Sequence, residues 1–267
     1  MGPNVSAQPH EVTVNAADGV RSRIEAPGPA AVELSGIARR FSRRWVLRGI
    51  SLRVEPGEAV ALMGKNGSGK TTLLRIISTA LSPTRGSGTV FGHDLRGEAA
   101  GVREVIGVLG HAAGLYEDLT AYENLRFALR MAGLNVDRDQ IRAALATVRL
   151  AHEENERVRN FSAGMRRRLG LAKLLMRPPR LLLLDEPYAA FDADGVDLVN
   201  AFVRETVRTG GAALISTHDL ARALPAVGRV IRIVDGLIVE GSLGQAEPDD
   251  SSSSPVETPW EFDGGAQ

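Results

Sequence analysis

The chain has 267 residues, enough to bury a substantial core in one large domain or two small ones. Its 32 basic residues balance 32 acidic ones, so no overall field favours nucleic acid or an anionic membrane surface. With no cysteine, a disulfide scaffold and a cysteine-ligated zinc or iron–sulfur site are excluded.

Residues 1–30 are rich in Pro, Gly and Ala without sustained periodicity, and no basic segment followed by an apolar block suggests a secretory leader. A disordered N-terminal tail and a cytoplasmic location are expected. Next, "VLRGISLRV" and "EAVALMG" read as strands, and a helix begins near Gly69 to carry "TTLLRIIS". "VIGVLG" is a further buried strand. Between Leu115 and Met176 the pattern changes: "LTAYENLRFALRMAGL", "DRDQIRAALATVRL" and "AGMRRRLGLAKLLM" predict three helices without a convincing strand, a helical insert over about 112–178. "LLLLDEP", "AALIST" and "VIRIVDG" return to buried strands. From Ala246 the chain is acidic, serine-rich and proline-broken, which predicts a disordered tail over 244–267; Trp260 and Phe262 within it are expected to have no docking partner. The alternation predicts an α/β fold with a mostly parallel central sheet over 31–243. No apolar run approaches the roughly 18 residues that span a bilayer, so a soluble chain is expected.

"GKNGSGKT" runs from Gly64 through Lys65, Asn66, Gly67, Ser68, Gly69 and Lys70 to Thr71, between an apolar strand and an amphipathic helix. In such a loop the glycines let backbone N–H groups turn inward around phosphate oxygens, and the helix adds its positive end. Lys70 then faces the β- and γ-phosphates, and the Thr71 hydroxyl suits magnesium. A bare glycine turn explains the full motif and its flanks less well.

The strand in "LLLLDEP" ends in Asp185 and Glu186, which places both carboxylates at the carboxyl edge of the sheet, where ligands of open α/β folds sit. Asp185 suits magnesium held through water, and Glu186 suits orienting or deprotonating an attacking water. "STHD" brings His218 to the same edge, able to donate a hydrogen bond to a γ-phosphate. In "NFSAGMRRRLGLAK", Ser162 and the small Ala163 and Gly164 open a helix whose free N–H groups form an anion site. At about 100° per residue, Arg166, Arg167 and Arg168 fan around that helix, which predicts a mixture of packing, snorkelling and salt-bridge residues over a nucleic-acid contact.

Taken in order, "GKNGSGKT", "FSAGM", "LLLLDEP", "YAAFD" and "STHD" resemble the nucleotide-binding domain of ABC transporters over about 31–243. The resemblance implies a P-loop NTPase of ABC type, with an antiparallel β subdomain beside the parallel sheet, and ATP and Mg2+ as ligands. It implies a head-to-tail homodimer holding two ATP, in which Ser162, Ala163 and Gly164 complete the site of the other subunit and Asp192 communicates across the dimer. Thr72 follows Thr71 in the phosphate-binding set, and Phe41 takes the place of the ring that stacks on adenine, although Trp45 is close and either ring fits a core role. An integral membrane permease is the implied partner, with the chain peripheral on the inner face of the cell membrane and no nucleic acid expected.

Two positions depart from the family pattern. His111 stands where most members have a magnesium-contacting glutamine, so the usual coordination does not carry over, and Ala163 and Met165 replace glycine and glutamine in the signature turn. "GHAAGLYEDLTAYENLRF" is similar to the branch containing the ATPase of haem exporters used in cytochrome c maturation, which implies export and suggests haem as cargo. A non-transport ABC-type ATPase acting on ribosomes or DNA is the competing expectation.

Overall fold

The computed structural model describes residues 28–110, 114–189 and 191–241. His111, Trp260 and Phe262 lie outside them.

The chain enters through β1 (Val32–Phe41) and β2 (Arg44–Val54), an antiparallel pair, and continues into β3 (Ala59–Met63) and α1 (Lys70–Ile77). β4 (Arg85–Val90) and β5 (His93–Asp94) complete an antiparallel sheet in the order β2-β1-β4-β5. α2 (Ala99–Val105) leads into β6 (Ile106–Leu109), and then come α3 (Ala121–Met131), α4 (Arg138–Thr147) and α5 (Ala163–Met176). The remainder runs β7 (Leu181–Asp185), α6 (Ala193–Arg208), β8 (Ala212–Ser216), α7 (Leu220–Ala223), β9 (Arg229–Val234) and β10 (Leu237–Gly241).

The second sheet has the order β10-β9-β3-β8-β7-β6, parallel throughout except for the β10 edge. Strands buried on both faces read as continuous apolar runs, which is why β3, β7 and β8 stand out in the sequence. Their period of two divides the core. Ala59, Ala61, Leu182, Leu184, Ala213 and Ile215 face α3–α6, whereas Val60, Leu62, Leu181, Leu183, Ala212 and Leu214 face α1 and the antiparallel sheet. The parallel strands share one carboxyl edge, and Met63, Asp185 and Ser216 end there.

In the stretch from Leu115 to Met176 the described residues hold helices and one isolated bridge between Thr120 and Arg157, as the periodicity predicts. α3 and α4 both begin with reciprocal capping boxes, Thr120 with Glu123 and Asp137 with Gln140, satisfying N–H groups the helix leaves open. β1 and α6 are not among the predicted elements. β1 breaks its alternation at a bulge between Leu34 and Ile37, where Gly36 takes φ 58, so its period never stands clear.

Candidate active site

β3 delivers the chain to Gly64, and the loop to Gly69 turns by using left-handed backbone at Gly64, Gly67 and Gly69. A Cβ on Gly64 would stand 2.4 Å from the carbonyl oxygen of Ile233, and one on Gly69 would stand 2.6 Å from a methyl of Leu47. Only glycine fits either place. Gly69 caps α1 without a side-chain hydrogen bond, and no acidic residue occupies the first turn, so the N–H groups at that end stay open to an anion. Lys70 is buried at 6 % exposure, and its ammonium donates to the carbonyls of Gly64 at 2.6 Å and Lys65 at 3.3 Å. The Ser68 hydroxyl is buried with no partner among the described residues. An unpartnered donor, an uncapped helix end and an ammonium in one loop fit a phosphate chain.

The loop opens on a cleft of about 450 Å³ whose lining includes Asn66, Gly67, Gly69, Lys70, Thr71 and Thr72. Asp185 and Glu186 line it from the end of β7, and Arg44 and Val46 from β2. Sheet pairing brings the two motifs together: the Thr71 hydroxyl donates to Asp185 Oδ1 at 3.1 Å across a sequence gap of 114 residues. Glu186 has φ 49, a conformation that costs a non-glycine residue on the order of 1 kcal/mol or more. Its N–H is held by the Ser216 carbonyl at 3.0 Å and the Ser216 hydroxyl at 3.1 Å. His218 Nδ1 lies 2.9 Å from Glu186 Oε2, so the carboxylate fixes the ring and leaves Nε2 pointing elsewhere. The glutamate side chain is 17 % exposed and the histidine 69 %.

The other expected residues do not line this cleft. Ser162 caps α5, its hydroxyl accepting from the Met165 N–H at 3.2 Å, and both Ser162 and Ala163 are exposed. Asp192 caps α6 and is exposed too; the Gly195 N–H, and beyond it the Arg168 charge, hold its carboxyl below the usual range. Phe41 is 44 % exposed at the end of β1, with the Arg39 guanidinium 4.7 Å from its ring centre.

The three arginines divide as their angular spacing predicts. Arg166 donates to the carbonyls of Val158 and Arg159. Arg167 is buried and donates to the carbonyls of Ala189 and Asp185, beneath the turn that carries the carboxylates. Burial pushes its pKa down, against the charges of Asp185 and Glu186. Arg168 pairs with Asp192 at 2.7 Å and lies over the Phe191 ring. Sequence reasoning missed Ser216 and the reach of Arg167. Both act across strand and helix packing, which no local spacing reports.

A glycine loop around an uncapped helix end, a buried lysine and two carboxylates at the end of β7, one strand removed from β3, define a nucleoside triphosphatase of the P-loop class. Residues 47–189 match the family model described as ABC transporter. The chain is 36 % identical over 202 residues to the cytochrome c biogenesis ATP-binding export protein CcmA 2 of Cupriavidus metallidurans, covering 76 % of this chain and 94 % of that protein. It is 41 % identical over 185 residues to the corresponding CcmA of Xanthomonas axonopodis pv. citri, covering 69 % and 85 %. An ATP-binding cassette solved as a dimer in a post-hydrolysis state with ADP and Pi superposes with a TM-score of 0.73 at 25 % identity, over 80 % of this chain and 99 % of that one. The ATP-binding subunit of an ABC transporter superposes with a TM-score of 0.73 at 27 % identity, over 80 % and 90 %. This chain belongs to the ABC transporter family, as an ATP-binding subunit that hydrolyses ATP. Among the described residues no helix is long and apolar enough to cross a membrane.

Proposed function

We propose that two copies of this chain sandwich two ATP head to tail and drive export through a separate integral membrane permease, with haem for cytochrome c biogenesis as the cargo. One observation carries the dimer. The phosphate loop and both carboxylates meet in one cleft, while Ser162, Ala163 and Gly164 form a second anion-receptive helix start outside that cleft, with Ser162 and Ala163 exposed. Each copy thus holds most of one site and the closing piece of another. The cargo and direction rest on the relatives, whose names describe export in cytochrome c biogenesis.

In this reading the loop N–H groups, the Ser68 hydroxyl and Lys70 hold the β- and γ-phosphates, and Phe41 stacks on the base. Thr71 and Asp185 would hold Mg2+, which when bound offsets phosphate charge; magnesium sites commonly use one or two protein ligands besides the phosphates. Glu186 takes a proton from water as its oxygen attacks the γ-phosphorus, and the bond from that phosphorus to the β-γ bridging oxygen breaks to leave ADP and phosphate. With hydrogen on both ring nitrogens, His218 donates from Nδ1 to Glu186 and from Nε2 to the γ-phosphate. Once the γ-phosphate is cut free, the ligand no longer ties the two copies together, and the dimer opens against the permease on the inner face of the membrane. Asp192, beside the signature helix, carries that change across the dimer.

The test is genetic and direct. In a strain lacking the coding gene, haem-stained c-type cytochromes should be lost, returned by the wild-type chain and not by the Lys70→Ala variant, with the wild-type chain pelleting with membranes. Normal c-type cytochromes in the deletion strain would remove haem as cargo. Purification with ribosomes or DNA and without membranes would remove the transport reading.

A further inference from the structure

Ser216 ends β8 between β3 and β7 and has no exposed surface. The parallel register sets it directly opposite Asp185. A serine hydroxyl gives one hydrogen and offers lone pairs in return, and both capacities are used on the same two neighbours. The oxygen donates to Asp185 Oδ1 at 2.5 Å and accepts from the Glu186 N–H at 3.1 Å. The direction is fixed by chemistry. An amide N–H can only donate, so the serine oxygen accepts from Glu186, and its own hydrogen is left for the carboxylate.

Two consequences bear on hydrolysis. Asp185 Oδ1 already receives Ser216 and Thr71, which leaves Oδ2 as the oxygen with open lone pairs. Among the described residues, Glu186 is the one residue of the site outside the phosphate loop with a left-handed backbone, and its N–H is anchored by Ser216 through both carbonyl and hydroxyl. That backbone aims the carboxylate at His218.

We propose that Ser216 is a positioning residue of ATP hydrolysis: its single hydroxyl selects which oxygen of Asp185 serves the cleft and holds Glu186 in the backbone that presents its carboxylate. The inference rests on the assignment of Asp185 and Glu186 to hydrolysis. Alanine at this position keeps the backbone pairing and removes the donor and the acceptor together. Threonine and valine share one shape and differ in the hydroxyl, so comparing them separates hydrogen bonding from packing.

The experiment measures kcat, KM for ATP, the Mg2+ concentration at half-maximal turnover, affinity for ATP without Mg2+, and melting temperature for Ser216→Ala, Ser216→Thr and Ser216→Val, beside Glu186→Gln. Alanine and valine should lower kcat about 10- to 100-fold and raise the Mg2+ requirement, with affinity for Mg2+-free ATP within about threefold of wild type. Threonine should recover most of the loss relative to valine. If neither β-branched variant folds, the alanine variant decides by the same split between kcat and ATP affinity. An alanine variant with wild-type kcat overturns the proposal, as does a loss of activity that only follows the loss of folded protein. Full turnover by Glu186→Gln removes the assignment of the carboxylates, and the inference with it; an inactive Glu186→Gln beside a fully active Ser216→Ala removes the inference alone.

Discussion

At the phosphate loop, the long side chains are already held within their own chain, while among the described residues the Ser68 hydroxyl and the N–H groups of the helix start stay open: Lys70 is buried against loop carbonyls, Thr71 reaches Asp185, and Glu186 meets His218. At the start of α5, Ser162 caps its own helix and otherwise faces outward beside the exposed Ala163. Behind that turn, arginines on the same helix bond to the surrounding chain. Arg166 ties the helix to the carbonyls of Val158 and Arg159, and Arg168 ties it to Asp192. The arginines that look like a nucleic-acid contact in the sequence are the brace.

The strongest way to break this comparison is at the finished half. Lys70→Ala removes the ammonium beside the loop and leaves the Gly64 carbonyl without its closest donor. Phosphate release should fall more than about a thousandfold and nucleotide binding should weaken or vanish. Hydrolysis at the wild-type rate would show that this loop is not the phosphate site. Glu186→Gln is the next largest. It keeps the side-chain shape and a hydrogen-bond acceptor toward His218, so ATP should still bind while turnover drops about 100- to 1000-fold. Light scattering should then show an ATP-dependent dimer, and a variant that cannot bind ATP would count against the assignment of a base.

How far each half could be read from the sequence follows from how local its physics is. The phosphate loop is contiguous, so its motif stands complete in eight successive residues, even though the walls that demand glycine at Gly64 and Gly69 come from Ile233 and Leu47. Asp185, Glu186 and His218 were legible because buried strands are visible as apolar runs and parallel strands end at one edge. The fan of Arg166, Arg167 and Arg168 followed from helical spacing alone. Ser216 was not legible: its contacts with Asp185 and Glu186 exist only once β7 and β8 pair in register, across a gap of about thirty residues. The hydrogen bond between His218 and Glu186 was hidden likewise, because it depends on the left-handed backbone of Glu186 and not on spacing. β1 was obscured by its bulge.

The unfinished half is tested by mixing. Ser162→Glu sets a carboxylate where a phosphate should arrive, and turnover of that variant alone should fall about 10- to 100-fold. When it is combined with Lys70→Ala, a heterodimer contains one site built from the intact phosphate loop of one copy and the intact signature turn of the other. Turnover in verified heterodimers should rise well above that of either homodimer, the Lys70→Ala one being inactive and the Ser162→Glu one retaining only its small residual turnover. Heterodimers no more active than their parents would mean that the two halves do not meet in trans.

The smallest effect probes the brace of the insert that carries the signature turn. Glu154 accepts from Arg142 at 2.8 Å and from Arg138 at 2.8 Å, while its backbone carbonyl accepts from Tyr122 at the start of α3. Hydrogen bonds from Arg142 and then Arg138 hold its carboxyl below the ordinary carboxylate range. A carboxyl depressed on folding stabilises the fold above its unfolded pKa, and that contribution disappears as pH falls through the lowered folded value. Glu154→Gln should therefore melt about 1–3 °C below wild type at pH 7, where the wild-type carboxylate is charged. The gap should close on acidification below the usual carboxylate range, because the wild type then loses the same charge. ATP affinity should not move, since the phosphate loop lies on the sheet and not on the insert. A gap that persisted in acid would make the brace one of shape, and a fall in ATP affinity would mean that the two halves of the molecule are less separate than their contacts imply.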